Sequence, residues 1–285
     1  MLEMLLSPRK AERHPWEMFF VGLIYASLSV LLVNWIFASD AVLSKYSGIL
    51  VVTFTVMFSL PFMYYLIKNE EEKNIENEGI FRILKQQSRA LMALLWLFLG
   101  FIVAYSFFYI VLPSNNSFRA QIETYCIINR PANFDQCVNE YGIKSAGKTT
   151  AFVTVSDRVI AIFSNNVYVL IFTLVFSLIF GAGAIFVLSW NASVIAAAIG
   201  IFSKSSLASL PLGLARYMIH GLPEIAAYFI AAMAGGIVSV AIIRHDTKTE
   251  KFWSVIRDSL SLIIIAVIIL LIAALIEVFI TPALF

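Results

Sequence analysis

The chain has 285 residues, 60% of them hydrophobic and 13% charged, with a net charge of +2. That apolar content exceeds what a soluble core absorbs, and so small a charge leaves no footprint for nucleic acid. The composition is that of a polytopic membrane protein, since several apolar runs reach the ~20 residues a helix needs to cross ~30 Å of hydrocarbon.

Arg9, Lys10 and Arg13 precede an apolar run from Phe19 to Ala38 that superficially resembles a secretory signal. The run is too long for a signal core and Ile36-Phe37-Ala38 is a poor cleavage site, so it reads as a first transmembrane helix with its N-terminus in the cytoplasm. A short connection containing Asp40 and Lys45 leads to a second crossing, about Ile49 to Ile67, which Pro61 is placed to kink. Lys68 to Arg89 follows as a solvated cytoplasmic segment in which Glu70, Glu71, Glu72, Glu76 and Glu78 are balanced by five Lys and Arg residues. Its later part, Ile80 to Lys85, fits an interfacial helix and an ordinary connector equally well. The third crossing, about Leu91 to Leu112, ends at Pro113.

Pro113 to Asp157 is the one stretch that can form a small cap, with Tyr125, Phe134 and Tyr141 as its apolar material. It is too small for a catalytic domain. It holds the chain's two cysteines, Cys126 and Cys137, which pair in an oxidising compartment and remain thiols in the cytoplasm. The topology below places the loop outside, so a disulfide is expected, stabilising the loop by roughly 3 kcal/mol on chain-entropy grounds. Asn115-Asn116-Ser117 matches a glycosylation acceptor, a short pattern with many chance matches.

Ser164-Asn165-Asn166 interrupts the returning apolar pattern before a fourth crossing, about Val167 to Leu188. Trp190 to Leu210 is harder to read, because its apolar core from Val194 to Phe202 is short before Ser203-Lys204-Ser205-Ser206. If it only dips into the membrane there are six crossings; if it crosses, seven. Seven crossings put 12 Lys and Arg residues inside and 8 outside, whereas six put 10 on each side. The positive-inside rule favours seven, which places the C-terminus outside.

Arg216, His220 and Glu224 then stand at the mouth of a sixth helix, Leu222 to Ile243. A charge at the bilayer centre costs roughly 2.5 to 3.5 kcal/mol on insertion scales, so these groups are expected at the interface. Gly221 would supply a tight turn and Pro223 the first helical position. Glu224 would lie in the first turn, where the helix dipole favours a carboxylate, with Arg216 as its partner. Ala227, Ala231, Gly235 and Ser239 form a four-residue ladder of small residues, and Ala196 with Gly200 repeats the spacing in the short fifth helix, so these two helices are expected to pair. In the last helix, about Leu260 to Ile280, Glu277 lies near the end and can snorkel to water, which leaves it without a role.

The small-residue-rich hairpin with Asn191 at its turn, the Asn165-Asn166 pair before the long helix, and His220-Gly221-Leu222-Pro223-Glu224 opening the next helix before a basic loop and a final helix together resemble the stage II sporulation protein M family. The resemblance covers about Leu91 to Phe285. It implies a membrane domain at residues 90–285, including the cap at 113–157, behind an added two-helix unit with its charged connector at residues 1–89, as in archaeal members. The bacterial namesake belongs to the endospore engulfment machinery and looks like a membrane scaffold for peptidoglycan-degrading partners. By resemblance the chain is then a non-enzymatic scaffold or assembly factor in an envelope or membrane-remodelling process.

The expected fold is all-α, a transmembrane bundle of about seven helices, one of them short or broken, with a small disulfide-linked extracytoplasmic loop. The candidate polar cluster is Asn165, Asn166, Asn191, Arg216, His220 and Glu224. A zinc protease motif needs two histidines one turn apart with a glutamate beside the first, and here there is one histidine, with His14 and His245 expected across the membrane; no metal or cofactor is expected. The asparagines read as bridges between helices, worth about 0.6 kcal/mol each, or as the wall of a transport path, since broken helices line such sites. A transporter or permease-like protein is therefore the alternative to the scaffold. An intramembrane hydrolase is remote, because no nucleophile and base share a depth. The expected partners are membrane lipid, another membrane or envelope protein and a second copy of the chain, in the cell membrane.

Overall fold

The computed structural model describes residues 8–37, 39–40, 42–73, 80–112, 115–129, 134–140, 155–180, 184–203, 207–243 and 250–284. Lys204, Arg244, Lys248, Tyr141, most of the charged connector's side chains and those of Asn115 and Asn116 lie outside the described set.

No strand occurs among the described residues. The helices are α1 (Pro8–Arg13), α2 (Glu17–Phe37), α3 (Ser47–Lys73), α4 (Ile80–Val111), α5 (Arg119–Asn129), α6 (Phe134–Glu140), α7 (Val155–Phe180), α8 (Ala184–Phe202), α9 (Leu210–Ile243), α10 (Glu250–Leu275) and α11 (Thr281–Leu284). Among the described residues, seven segments are long and apolar enough to cross a membrane: Glu17–Phe37, Leu43–Leu66, Ser88–Val111, Arg158–Leu178, Ile185–Phe202, Leu207–Ser239 and Phe252–Leu284. The protein is an α-helical, multi-pass membrane protein whose fifth span is its shortest. Hydrocarbon offers the backbone no water, so each span must satisfy its N–H and C=O groups internally, and the helix does this. Small hydroxyls inside the spans follow the same rule: Ser29, Thr55 and Thr173 each donate to the carbonyl four residues back, on Tyr25, Val51 and Val169.

Several expected boundaries move, for one physical reason. Gly221 is not a turn and Pro223 does not open a helix, because α9 runs unbroken from Leu210 to Ile243 with Pro223 in its interior. A proline removes one helical hydrogen bond; a turn within the membrane would expose several groups, so the helix continues. Asn165 and Asn166 likewise lie within α7, and Asn191 lies within α8, not at the hairpin turn. Asn191 Nδ2 donates to the Val187 carbonyl at 2.7 Å, a bond inside its own helix that makes a break unnecessary. The fourth crossing therefore ends at Leu178 and the fifth begins at Ile185.

α9 is the most enclosed span, followed by α8 and α4, while α7, α10 and α2 lie at the periphery. Tyr105, Phe98 and Phe101 of α4 and Tyr228 and Phe229 of α9 are fully buried, and the Phe98 and Phe229 rings lie 6.1 Å apart. The outer faces carry Trp35, Tyr168, Trp253 and Ile268, an apolar exterior suited to lipid. Close approach depends on small residues. Gly22 of α2 and Gly100 of α4 face each other so tightly that an added Cβ would run into the Leu97 and Phe19 carbonyl oxygens respectively. Gly235 accommodates the Leu174 carbonyl of α7, 2.9 Å from where its Cβ would stand, and Gly200 accommodates the Tyr109 ring of α4. The ladder helix α9 thus packs chiefly on α10 and α7, and not first on α8 as its spacing suggested. Spacing names a groove; the neighbour's own surface decides what fills it.

The cap is tied down. Cys126 and Cys137 form a disulfide joining α5 to α6. The Gln121 side-chain amide anchors α5 from the other side, its Nε2 donating to the Gly48 carbonyl at 2.9 Å and to Ser193 Oγ at 3.1 Å. Ser117 Oγ donates to Asn34 Oδ1 at 2.9 Å, and the Phe118 ring sits 5.6 Å from that of Tyr109 and 6.3 Å from that of Tyr105. Between α2 and α3, Asp40 Oδ1 accepts the N–H groups of Leu43 at 2.7 Å and Val42 at 2.8 Å. Those two bonds hold its carboxyl below the usual aspartate range.

Alanine at Gly22 or Gly100 should lower stability by about 1–3 kcal/mol through overpacking, seen as a lower thermal midpoint in detergent. Gly221→Ala should be neutral or mildly stabilising, because an added Cβ would lie 3.6 Å from Met218 Cε in a continuous helix; a marked loss there would contradict the unbroken α9. For Asp40, a lowered folded pKa means the turn is fully supported above the ordinary value of 3.8 and loses support as pH falls through the lower folded value. Amide exchange at Val42 and Leu43, corrected for intrinsic rate, should lose protection only in that acidic window, and Asp40→Ala should remove the pH dependence.

Candidate functional site

α7, α9 and the final span converge on a polar corner. Asn166 Nδ2 donates to Glu224 Oε1 at 2.6 Å, and Asn165 Nδ2 donates to Asn166 Oδ1 at 3.4 Å. One turn earlier on α9, His220 Nδ1 meets Thr281 Oγ1 at 3.1 Å. Glu277, one turn before Thr281 in the π-helical turn Ile276–Ile280, lies within the electrostatic reach of Glu224, and Arg158 near the start of α7 acts in turn on Glu277. The buried Tyr228, one turn beyond Glu224, senses both carboxyl groups.

Depth makes this arrangement unusual. Counted from Leu207, Glu224 is residue 18 of a 33-residue span, and counted from Arg158, Asn166 is residue 9 of a 21-residue span. Both lie well inside their helices and not at the interfacial start expected for Glu224. A carboxyl group there needs a compensating donor, and the Asn166 amide supplies it. The partner seen for Glu224 is thus Asn166, while the Arg216 guanidinium lies 4.9 Å from the centroid of the Phe202 ring, a cation–π contact. Beside Arg216, the Tyr217 side chain is hydrogen-bonded to Tyr125 of α5, so this end of α9 is held against the cap.

Asn191 belongs to a different feature. It lines a groove of about 600 Å³ between α7 and α8, together with Asn165, Tyr168, Trp190 and, from the cap, Thr124. Glu224 is not on that wall. Asn165 connects the two regions, since it lines the groove and also begins the chain of hydrogen bonds through Asn166 to Glu224. The six expected residues therefore fall into four settings: Asn165, Asn166 and Glu224 in one chain, His220 beside it on Thr281, Arg216 over the Phe202 ring one turn before His220 and within its electrostatic reach, and Asn191 in the groove. Glu277, Arg158, Thr281 and Tyr228 were missed. A signal was present for two of them. His220 and Glu224 are four residues apart, as are Glu277 and Thr281, and antiparallel packing of α9 on the last span lays one pair against the other. Among the described residues no group of three His, Cys, Asp or Glu side chains could hold a metal ion.

A seven-span helical bundle with a disulfide-closed cap and an intramembrane carboxylate corner defines a class of multi-pass membrane protein. The family model of stage II sporulation protein M matches residues 93–282, which is 190 of the 285 residues, and the chain belongs to that family. The match begins inside α4 and takes in the cap, the polar corner and the groove's α7 and α8, with α1 to α3 ahead of it. An uncharacterized protein of Methanocaldococcus jannaschii is 35% identical over 127 residues, covering 43% of this chain and 70% of that protein. No solved structure matches.

Removing one partner of the Asn166–Glu224 pair should cost more than neutralising it. Asn166→Leu leaves a buried carboxyl without its donor and should cost about 1–3 kcal/mol. Glu224→Gln retains an acceptor oxygen and should cost less, and the double variant Asn166→Leu/Glu224→Leu should recover much of the loss. Thermal unfolding in detergent measures these and the single Glu224→Leu; a double-variant loss equal to the sum of Asn166→Leu and Glu224→Leu would mean that the two side chains do not act as a pair.

Proposed function

We propose that the protein is a non-enzymatic scaffold of the cell membrane, serving an envelope or membrane-remodelling process and presenting its cap to another membrane or envelope protein. The observation that carries this reading is the attachment of the cap. Ser117 binds α2 through Asn34, and Gln121 binds both Gly48 of α3 and Ser193 of α8. A loop fastened to three spans and closed by a disulfide has the rigidity of a docking platform, where a gate would need freedom to move. Family membership supports the same reading. The disulfide favours an oxidising compartment for the cap, so the N-terminus is cytoplasmic and, after seven crossings, the C-terminus is outside. Residues 1–89 serve in this reading as an added membrane unit on a 90–285 core.

A second reading, a transporter or permease-like protein, is supported by one observation: Glu224 sits deep in its span and is joined by Asn166 and Asn165 to the groove. Sites of this kind near the bilayer midplane are where secondary transporters bind their substrates. Reconstituted vesicles separate the two. The scaffold predicts no solute or proton flux above empty vesicles, together with cross-linking from a photoreactive group at Asp135, an exposed cap position, to one discrete partner in intact cells. Flux that disappears with Glu224→Gln would replace the scaffold with the transporter. In the same cells, Cys126 and Cys137 should resist an impermeant alkylating reagent until reduced, and a tag at Ser254 should be reached only after permeabilisation.

A further inference from the structure

The groove between α7 and α8 has a direction. Its cap end is marked by Thr124 of α5 and by Asn165 of α7, and its far end by Phe172 and Phe186, with the Phe186 ring 6.4 Å from that of Phe176 close to the α7–α8 connection. From Asn165 to Phe172 is seven residues, about 10 Å of helix at 1.5 Å per residue. Over that distance the wall changes from amide and hydroxyl to aromatic hydrocarbon. It opens among membrane spans, so the phase that reaches it is lipid. A volume of about 600 Å³ falls within the range of about 300–1,000 Å³ usual for small-molecule sites.

The polar end has a hydrogen-bonding sense as well. Asn191 Nδ2 is committed to the Val187 carbonyl, an acceptor that fixes which end of the amide is nitrogen. Asn165 Nδ2 is committed to Asn166 Oδ1, whose own orientation follows from the bond of its Nδ2 to Glu224. The Thr124 hydroxyl donates to the Ala120 carbonyl at 2.8 Å. Thr124 has therefore used its single donor, Asn165 and Asn191 each keep one amide N–H, and all three retain oxygen lone pairs to accept. None of the described lining residues is charged. A hydroxyl, which both donates and accepts, suits this mixture, whereas a phosphate or carboxylate would find no cation here to offset its charge.

We propose that this groove is a binding site for a membrane lipid with an uncharged, hydroxyl-rich headgroup of the glycosyl type. The hydroxyls donate to the oxygens of Asn165, Asn191 and Thr124 at the cap end, and one chain lies along Phe172 and Phe186. The site stands independently of both the scaffold and the transporter readings, since it requires neither a protein partner nor movement of a solute.

Trp190 on the groove wall provides the probe. In a variant with the other four tryptophans, Trp16, Trp35, Trp96 and Trp253, changed to phenylalanine, its fluorescence is measured in phosphatidylcholine vesicles. These contain equal mole fractions of a chain-brominated glycosyl diacylglycerol, a chain-brominated phosphatidylethanolamine or a chain-brominated phosphatidylcholine. The glycosyl lipid should quench Trp190 at least threefold more effectively than the other two. The excess should disappear with unbrominated glycosyl lipid as competitor, and with Asn191→Leu, whose amide bonds only within α8. Equal quenching by all three lipids would reduce the groove to ordinary lipid-facing surface. Preference for phosphatidylethanolamine would assign it to an ammonium donor, and either result overturns the proposal. If the four-fold variant does not fold, native mass spectrometry of the wild-type protein in mixed lipid supplies the same comparison. Retained glycosyl lipid should exceed the other two and fall with the groove-filling Val194→Phe, and equal retention would overturn the proposal.

Discussion

Hydrocarbon offers no hydrogen bonds, and most of this structure follows from that one constraint. A polar group that enters the bundle is under pressure to find its partner within the protein, and among the described side chains Ser106 Oγ of α4 and Gln121 Oε1 of the cap are buried without one. The backbone finds its partners as helix, and α9 keeps its helical course through both Gly221 and Pro223. Serine, threonine and asparagine side chains inside the spans do so largely by bonding back to their own helix, as Thr55, Thr173 and Asn191 show. A polar residue in such a sequence is therefore a poor marker of a break. It marks a group that has been satisfied at short range or one that joins two helices.

The second kind is rarer and more consequential here. Tyr105 of α4 donates to Thr55 Oγ1 of α3 at 2.6 Å and lies 3.3 Å from Ser189 Oγ of α8, binding three spans at one point. Ser177 of α7 donates to the Ala232 carbonyl of α9, next to the place where Gly235 admits the Leu174 carbonyl. Small residues bring the helices near enough for these bonds to form, and the bonds then hold the chosen neighbours. The same logic extends beyond the spans, where Gln121 of the cap reaches both Gly48 and Ser193.

The polar corner fits this scheme with one difference: it includes ionisable groups. Glu224 is satisfied by Asn166, with Glu277 in its electrostatic surroundings and Arg158 in turn acting on Glu277, so the corner combines structural glue with groups able to titrate. A scaffold can use such a corner to fix the relative rotation of α7, α9 and the last span. The groove has a distinct character, uncharged and open between spans, and shares only Asn165 with the corner. The bundle thus holds two polar features with different chemistry, joined through adjacent asparagines of α7.

Much of the architecture was legible in the residues. Apolar runs and the distribution of Lys and Arg identified seven crossings including the short fifth, the placement of Cys126 and Cys137 in a loop expected outside the cytoplasm pointed to a disulfide, and the order of motifs pointed to the family. Those features are local or one-dimensional, so hydropathy along the chain is enough to read them. The position of helix ends inside lipid was misread at Asn165, Asn191 and Gly221, because turn chemistry learned from water does not apply where a turn has no solvent. Only the tertiary structure decided that Glu224 meets Asn166, that Gly235 faces α7, and that Glu277, expected to snorkel to water, lies within the electrostatic reach of Glu224. Those choices depend on how each helix is rotated about its axis, and that rotation is settled jointly by all the helices packed against it.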